Sequence, residues 1–513
     1  MHATIPSPPG LPVVGNVDAI DKDLPVQSLH LLAKQYGEIY QLTVLGDRTI
    51  IVNSSALMSE VSDEKRFSKK IAANSTQLRN AAGDGLFTAR VPEEKNWGIA
   101  HRLLMPIFTP ASVCNLADDM LDIVSQLVLK WERLGAKTVI DVASDFSRLT
   151  LDTICLTAMS YRLNSFYREN LHPFAIAMAD FLLESTKRGA RSAVVQNMLV
   201  AENAKYEQDQ KTLFQVADEI LAQRRENPTD KQDILNILMF GRDKETGLGL
   251  PEKTVQYNLL TFLIAGHETT SGMLVFAIYY LLKNPEAMRK LRAEIDSKIG
   301  GRLFTTQDLN TLPYLIAVMR ETLRLSPTAP ARTVSPFEDT TIGGKYFIKK
   351  GESIIVNTYD CQRDPKVWGI DVSTLSSASI ITVAGPAPSG GRVQAGAHAG
   401  RKVRGPSSQC LASLRVWYEG MHRKYFFTIR TGRTTHLHDL QGGAFAWQEG
   451  QVALVTLLQQ FDFVMDDPKY ELQLKQTLSI KPKNFFIRAS PRKDMPRLFA
   501  LPTINKGAAS AKA

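Results

Sequence analysis

Apolar and polar positions change period along the chain. Residues 39–53 (IYQLTVLGDRTIIVN) alternate β-formers around a Gly-Asp pair, which is the pattern of a hairpin. From about residue 111 to residue 299 the apolar positions recur at helical spacing. The run LADDMLDIVSQLVLKWERL and residues 147–158 and 174–183 predict amphipathic helices. Pro285, preceded by Asn284, predicts a capped helix start. Short strands then return in residues 340–356, between Gly-Gly and Lys-Gly turns, and YELQLKQTLSIKPKNFFIRA predicts one more hairpin. The expected fold is mainly α with small β-sheets at its edges, forming one domain over residues 1–492. Residues 373–441 do not belong to it. Periodicity disappears there, Gly, Ser, Ala and Arg accumulate, and a compact domain rarely holds so long a loop.

Composition adds mostly exclusions. With 44% apolar and 22% charged residues the chain reads as a globular enzyme rather than a fibrous or disordered protein. The net charge of +9 is not gathered in a tract, so no nucleic-acid partner is expected. Cys114, Cys155, Cys361 and Cys410 lack metal-type spacing, which argues against a zinc site or a disulfide framework. The opening MHATIPSPPGLPVVGN has neither the basic start nor the apolar run of a signal peptide. The longest apolar stretch, residues 259–282, is interrupted by Gly266, His267, Glu268 and Ser271, which a bilayer-spanning helix accepts poorly. The expectation is a cytoplasmic protein without a membrane anchor.

Three motifs carry candidate chemistry. In LLTFLIAGHETTSGMLVFAIYYLL a polar Gly-His-Glu-Thr-Thr insert interrupts an apolar helix, so it either lines a cavity or forms a polar kink in a core helix. Ala265, Gly266 and Thr269 share a face there, and a mid-helix threonine can bond back to the carbonyl four residues earlier. A zinc-protease reading fails because Ser271 stands where a second histidine is needed. Glu321 and Arg324, three apart among apolar neighbours, can form a buried structural pair. Trp97 and His101, four apart with Arg102 alongside, offer N–H donors suited to an anionic group, or else belong to an ordinary surface helix.

Together with AGDGLFTA, LTLDTI, NSFYREN, RLSPTAPA, RDPKVWG, AFAWQEG and LKQTLSIKPK, these segments resemble the cytochrome P-450 family of haem-thiolate monooxygenases. The similarity is closest to the haem domains of self-sufficient fatty-acid hydroxylases fused to a flavin reductase. The resemblance implies the cytochrome P-450 fold, haem b, dioxygen, an apolar fatty-acid-like substrate, and NADPH acting through FAD and FMN of a reductase. It implies that Thr269 with Glu268 relays protons and that Ala265 and Gly266 leave space above the iron. Trp97 and His101 would hold a haem propionate, Glu321 and Arg324 would lock the proximal core, and Phe87 and Ala82 would border the substrate channel. Asp47 followed by Arg48 departs from the basic residue common at the channel mouth, so carboxylate anchoring there is in question.

The family's ligand loop, Phe-x-x-Gly-x-Arg-x-Cys-x-Gly, is missing before Ala444, so the printed frame contains no metal ligand. Back-translating residues 392–422 and reading one base later permits the loop. Met421-His422 is ATG-C, which then gives TGC, cysteine, and Trp417-Tyr418 gives glycine. Codons for residues 423–425 can spell a splice donor and Gln441 an acceptor, whose removal would join the loop to Gly442. The proximal haem loop is therefore expected to be disrupted by a frameshift or retained intron over residues 373–441. Residues 493–513 read as the start of a linker, with the reductase outside the chain. The competing expectation is a haem-free lipid-binding pseudoenzyme.

Overall fold

The computed structural model describes residues 2–368, apart from 45, 72–75, 91–92, 190 and 192, and residues 443–499. Helices α1 (Asn96–Leu104), α2 (Ala117–Leu134), α3 (Val142–Met159), α4 (Val200–Glu226), α5 (Glu252–Lys283), α6 (Pro313–Leu325) and α7 (Gly443–Gln460) contribute to one large apolar core. The axis of that core is α5, which packs on α3, α4, α6 and α7. It is the one helix among the described residues long and apolar enough to cross a membrane, yet 78% of its apolar window is buried inside the protein. Hydrophobicity on all sides is what a helix surrounded by other helices requires.

Local chemistry explains the boundaries. Glu252 in the first turn of α5 and Lys283 in the last complement the helix dipole. Asn284 ends α5 and caps the next helix, Pro285–Lys298, accepting from Ala287 N at 2.9 Å, as the Asn-Pro pair predicts. Inside the buried α3, Thr150, Thr153 and Thr157 return their hydroxyls to the carbonyls of Phe146, Leu149 and Thr153 at 3.0, 2.8 and 2.6 Å. Three polar side chains thereby enter the core without an unmet donor.

The main sheet contains β1 (Ile39–Val44), β2 (Asp47–Val52), β3 (Phe67–Lys69), β4 (Arg332–Pro336) and β5 (Ser353–Val356) in the order β1-β2-β5-β4-β3. The expected first hairpin pairs Ile39 with Val52 and Val44 with Asp47. Two expectations are refined. Thr340–Ile342 pairs with Tyr346–Ile348 around Gly343 and Gly344, both at positive φ. The following run leaves that hairpin after Gly351 and pairs β5 parallel to β2. Near the C-terminal end, β6 (Leu474–Gln476) and β7 (Ile480–Pro482) form a hairpin, but Phe486–Pro491 pairs instead with Phe461–Met465 and Ile140–Asp141. Strand partners are tertiary decisions that alternation alone does not contain. The expected aberrant segment, residues 373–441, lies outside the described residues.

Candidate functional site

Midway along α5 the burial is interrupted on one side. Ala265 is exposed and Phe262 and Thr269 are half-buried, although most of the helix is enclosed. Thr269 Oγ1 donates to Ala265 O at 2.9 Å, the back-bond expected of a mid-helix threonine. The open face is thus a methyl group and a hydroxyl on neighbouring turns. Gly266 also has a packing role. A Cβ there would lie 3.0 Å from Ile154 Cγ1, so its missing side chain lets α3 approach α5 closely.

The loop carrying Phe87 is pressed onto α5 about one turn before Ala265. Gly83, at φ 40°, would place a Cβ 2.2 Å from the Tyr257 ring, and one on Gly85 would lie 2.8 Å from Thr261 Oγ1. Leu86 N donates to Asn258 Oδ1 at 3.0 Å, which fixes the loop's register on the helix. Phe87 is half-buried, and Ala82 is buried beneath the same loop. Lys69, on β3, donates to Phe87 O and lies over its ring at 5.1 Å, a cationic contact that sequence reading missed. Gly83→Ala is expected to lower stability by about 1–3 kcal/mol through positive φ and overpacking. A urea midpoint equal to wild type would contradict this.

Trp97 and His101 come together on α1 as stacked rings with centroids 4.7 Å apart and planes at 20°. His101 is buried and Trp97 half-buried. Arg102 is not aimed with them. Its Nε and Nη2 bind the Asp243 carboxylate at 2.8 and 2.7 Å, and this paired guanidinium holds the Asp243 carboxyl well below the usual range. Arg48 is occupied likewise, donating to Gln41 at 2.6 Å and to both Glu352 oxygens at 3.1 Å. The β1–β2 turn therefore presents Asp47 beside an arginine already paired.

Glu268 and Thr269, expected to act together, are not brought together. Glu268 is buried and its carboxylate turns to the β6–β7 hairpin, accepting from Lys481 Nζ and Ser479 Oγ, both at 2.9 Å. Burial opposes its ionisation, but Lys481, together with His267 and the Ser479 hydrogen bond, outweighs that penalty and holds the carboxyl at about 2. His267 adds little charge at neutral pH because burial depresses it to about 4. Adjacent helix positions point about 100° apart, so neighbours in sequence need not share a face.

The Glu321–Arg324 pair of α6 is formed and buried, with two 2.7 Å hydrogen bonds and side-chain exposures of 0% and 6%. Arg324 also donates to Gln362 O at 3.2 Å and stacks over Trp368 at 4.7 Å, tying α6 to the segment that precedes residue 369. On α7 the fully buried Glu449 is a further acid outside the expected set. Burial pushes its carboxyl well above the usual range; the Thr270 and Thr153 hydroxyls lie close but form no well-aligned bond to it. The folded state thus holds this proton where the unfolded chain has lost it. Its stabilising contribution is full below about 4.5 and declines as pH rises. Glu449→Gln is expected to flatten that decline and gain stability at pH 8 relative to pH 4.5, as thermal midpoints across the range would report.

A haem, the group implied by the resemblance, needs a helix face without protruding side chains and N–H donors for its propionates. Ala265 on α5 and the Trp97–His101 stack on α1 fit those needs. The remaining requirement is a thiolate. Cys155 and Cys361 are buried thiols whose ionisation burial disfavours, which suits packing rather than ligation. Cys410 and the Met421 codon lie outside the described residues. The described residues contain no cluster of metal-ligating side chains.

Comparison with known proteins agrees with this arrangement. The cytochrome P-450 family model matches residues 5–369. The chain is 50% identical over 504 residues to a self-sufficient cytochrome P-450 monooxygenase of Phanerodontia chrysosporium, covering 98% of this chain and 44% of the relative. It is 43% identical to a bifunctional cytochrome P-450/NADPH–P-450 reductase of Aspergillus oryzae, covering 96% of this chain and 42% of that protein. A bifunctional protein of the same description from Fusarium oxysporum is 40% identical, with 96% and 43% covered. The chain spans less than half the length of these relatives.

Proposed function

Because the chain belongs to the cytochrome P-450 family, we propose that its correctly framed product is a haem-dependent monooxygenase. It hydroxylates fatty acids or similar apolar substrates with dioxygen and NADPH-derived electrons. The observation that carries this reading is the open Ala265–Thr269 face of an otherwise enclosed core helix. Haem b, held by a cysteine thiolate, would supply dioxygen activation and C–H oxidation.

The chain's own residues supply the setting. Ala265 keeps the face of α5 low, so a flat ring and a small molecule can lie against it. Thr269 keeps its hydroxyl on that face while its proton rests on Ala265 O, from which it can turn to a water or substrate oxygen. Phe87 offers an apolar wall, and Trp97 and His101 offer donors to the ring's carboxylates. Electrons come from NADPH through FAD and FMN of a reductase, fused or separate; the names of the relatives support that partner. A cytoplasmic location belongs to the same proposal.

The printed polypeptide lacks the cysteine loop and is proposed to be inactive. Sequencing cDNA across codons 366–450 tests the frame. A read giving Phe-Gly-Tyr-Gly-x-Arg-Ala-Cys before Ala444 is expected. The protein made from that read should show the thiolate-type Soret band when reduced under carbon monoxide. Transcripts that keep residues 373–441, with protein carrying no iron, would favour the lipid-holding pseudoenzyme instead.

A further inference from the structure

The β6–β7 hairpin is joined to α5 by a buried polar clamp. Glu268 accepts from Lys481 Nζ and Ser479 Oγ at 2.9 Å and from Thr477 Oγ1 at 3.3 Å. Thr477 and Ser479 from the turn and Lys481 from β7 thus converge on one carboxylate. Gly272, four residues further along α5, makes room for them. A Cβ there would lie 3.0 Å from Ile480 O and 3.4 Å from Lys481 Cγ. Two further bonds brace the hairpin: Ile480 N donates to Thr328 O at 2.9 Å, and the Gln476 side-chain Oε1 accepts from Val26 N at 2.9 Å. Lys481 also donates to Ser147 Oγ on α3 at 3.3 Å, so it spans two helices.

The tip of the hairpin is Thr477-Leu478-Ser479. Its two polar residues grip Glu268, and Leu478 between them is half-buried against the core. Glu268 is three residues from Ala265 and one from Thr269, so the clamp seats the tip beside the turn of α5 that carries the open face.

We propose that Lys481 is a positioning residue, whose grip on the Glu268 carboxylate fastens the 474–482 hairpin to α5 and keeps that carboxylate away from Thr269. The clamp stands on the contacts themselves. The titratable groups facing Glu268 are Lys481 from β7 and His267 from α5, and only Lys481 carries charge at neutral pH. Removing that charge leaves a buried carboxylate without its partner, and burial then favours the protonated form.

Two measurements on the full chain, neither needing haem, decide the matter. Amide hydrogen exchange over residues 474–482 should accelerate about tenfold or more in Lys481→Met while α2 stays at the wild-type rate. Infrared difference spectra at neutral pH should show a protonated-carboxyl band in Lys481→Met that disappears in Lys481→Met/Glu268→Gln. Lys481→Arg should restore wild-type behaviour in both, which loss of generic packing would not predict. If Lys481→Met does not fold, the double variant, which leaves no stranded charge, replaces it and should show the fast hairpin exchange. Wild-type hairpin protection in the variant that folds, or a Lys481→Met spectrum without a Glu268-dependent band, overturns the proposal. A correctly framed chain that never binds haem would sink the monooxygenase reading and leave both readouts intact.

Discussion

Arg324→Met is expected to cost the full chain about 3–5 kcal/mol, seen as a lower urea midpoint and reduced soluble yield. The size of the effect comes from what is left behind. Glu321 is 0% exposed and receives two 2.7 Å bonds from this guanidinium, so losing it strands a carboxylate with no route to water. The same change removes the donation to Gln362 O and the stacking over Trp368. Of the ties between α6 and residues 358–368, the donation from Arg363 to Leu325 O would remain. Replacing both partners, as in Glu321→Leu/Arg324→Met, should cost clearly less than Arg324→Met alone, because no buried charge remains. A double variant as unstable as the sum of the singles would show that charge burial is not the cause.

A comparable loss, again about 3–5 kcal/mol, is expected for Arg224→Met at the end of α4. Arg224 binds both Asp233 oxygens at 2.9 and 2.5 Å, Asn236 Oδ1 at 2.6 Å and Met159 O at 2.8 Å, with side-chain exposures of 4% and 1% across the ion pair. Asp233 in turn caps the helix Ile234–Phe240 through Asn236 N at 2.8 Å and accepts from Ser160 Oγ at 2.8 Å. One guanidinium therefore joins the ends of α3 and α4 to the start of a third helix. Limited proteolysis should show new cleavage between residues 224 and 240 in the variant. Unchanged cleavage with an unchanged midpoint would mean that the knot carries no stability.

Much of the site was legible where its chemistry is local in sequence. The Thr269 back-bond, the Trp97–His101 stack and the Glu321–Arg324 pair each join residues three or four apart on one helix, and helical geometry alone brings such residues together. Partners from elsewhere were not legible in that way. Glu268 meets Lys481 across 213 positions, and Lys69 reaches Phe87 from a strand whose neighbours are set by sheet order. A faint signal was present for the first, since Thr477, Ser479 and Lys481 put polar groups on alternate positions through the turn of the expected hairpin. Gly266 shows the opposite limit. Its lack of a side chain is visible in the sequence, but whether that serves a ligand or a neighbouring helix depends on where Ile154 lies.

By itself, then, the sequence determined the helical body, its caps, its hairpins and family membership, because these follow from periodicity and from motifs read over a few residues. The tertiary structure decided the rest. It set which strands pair, which arginines are already engaged, and which face of α5 stays open. It also set the state of two buried acids. Glu268 and Glu449 are both glutamates on apolar helices, yet one is held ionised by a lysine and the other protonated by the absence of any charge beside it. Burial penalises both carboxylates alike, and only the arrival of an opposite charge from a distant part of the chain reverses that penalty for one of them.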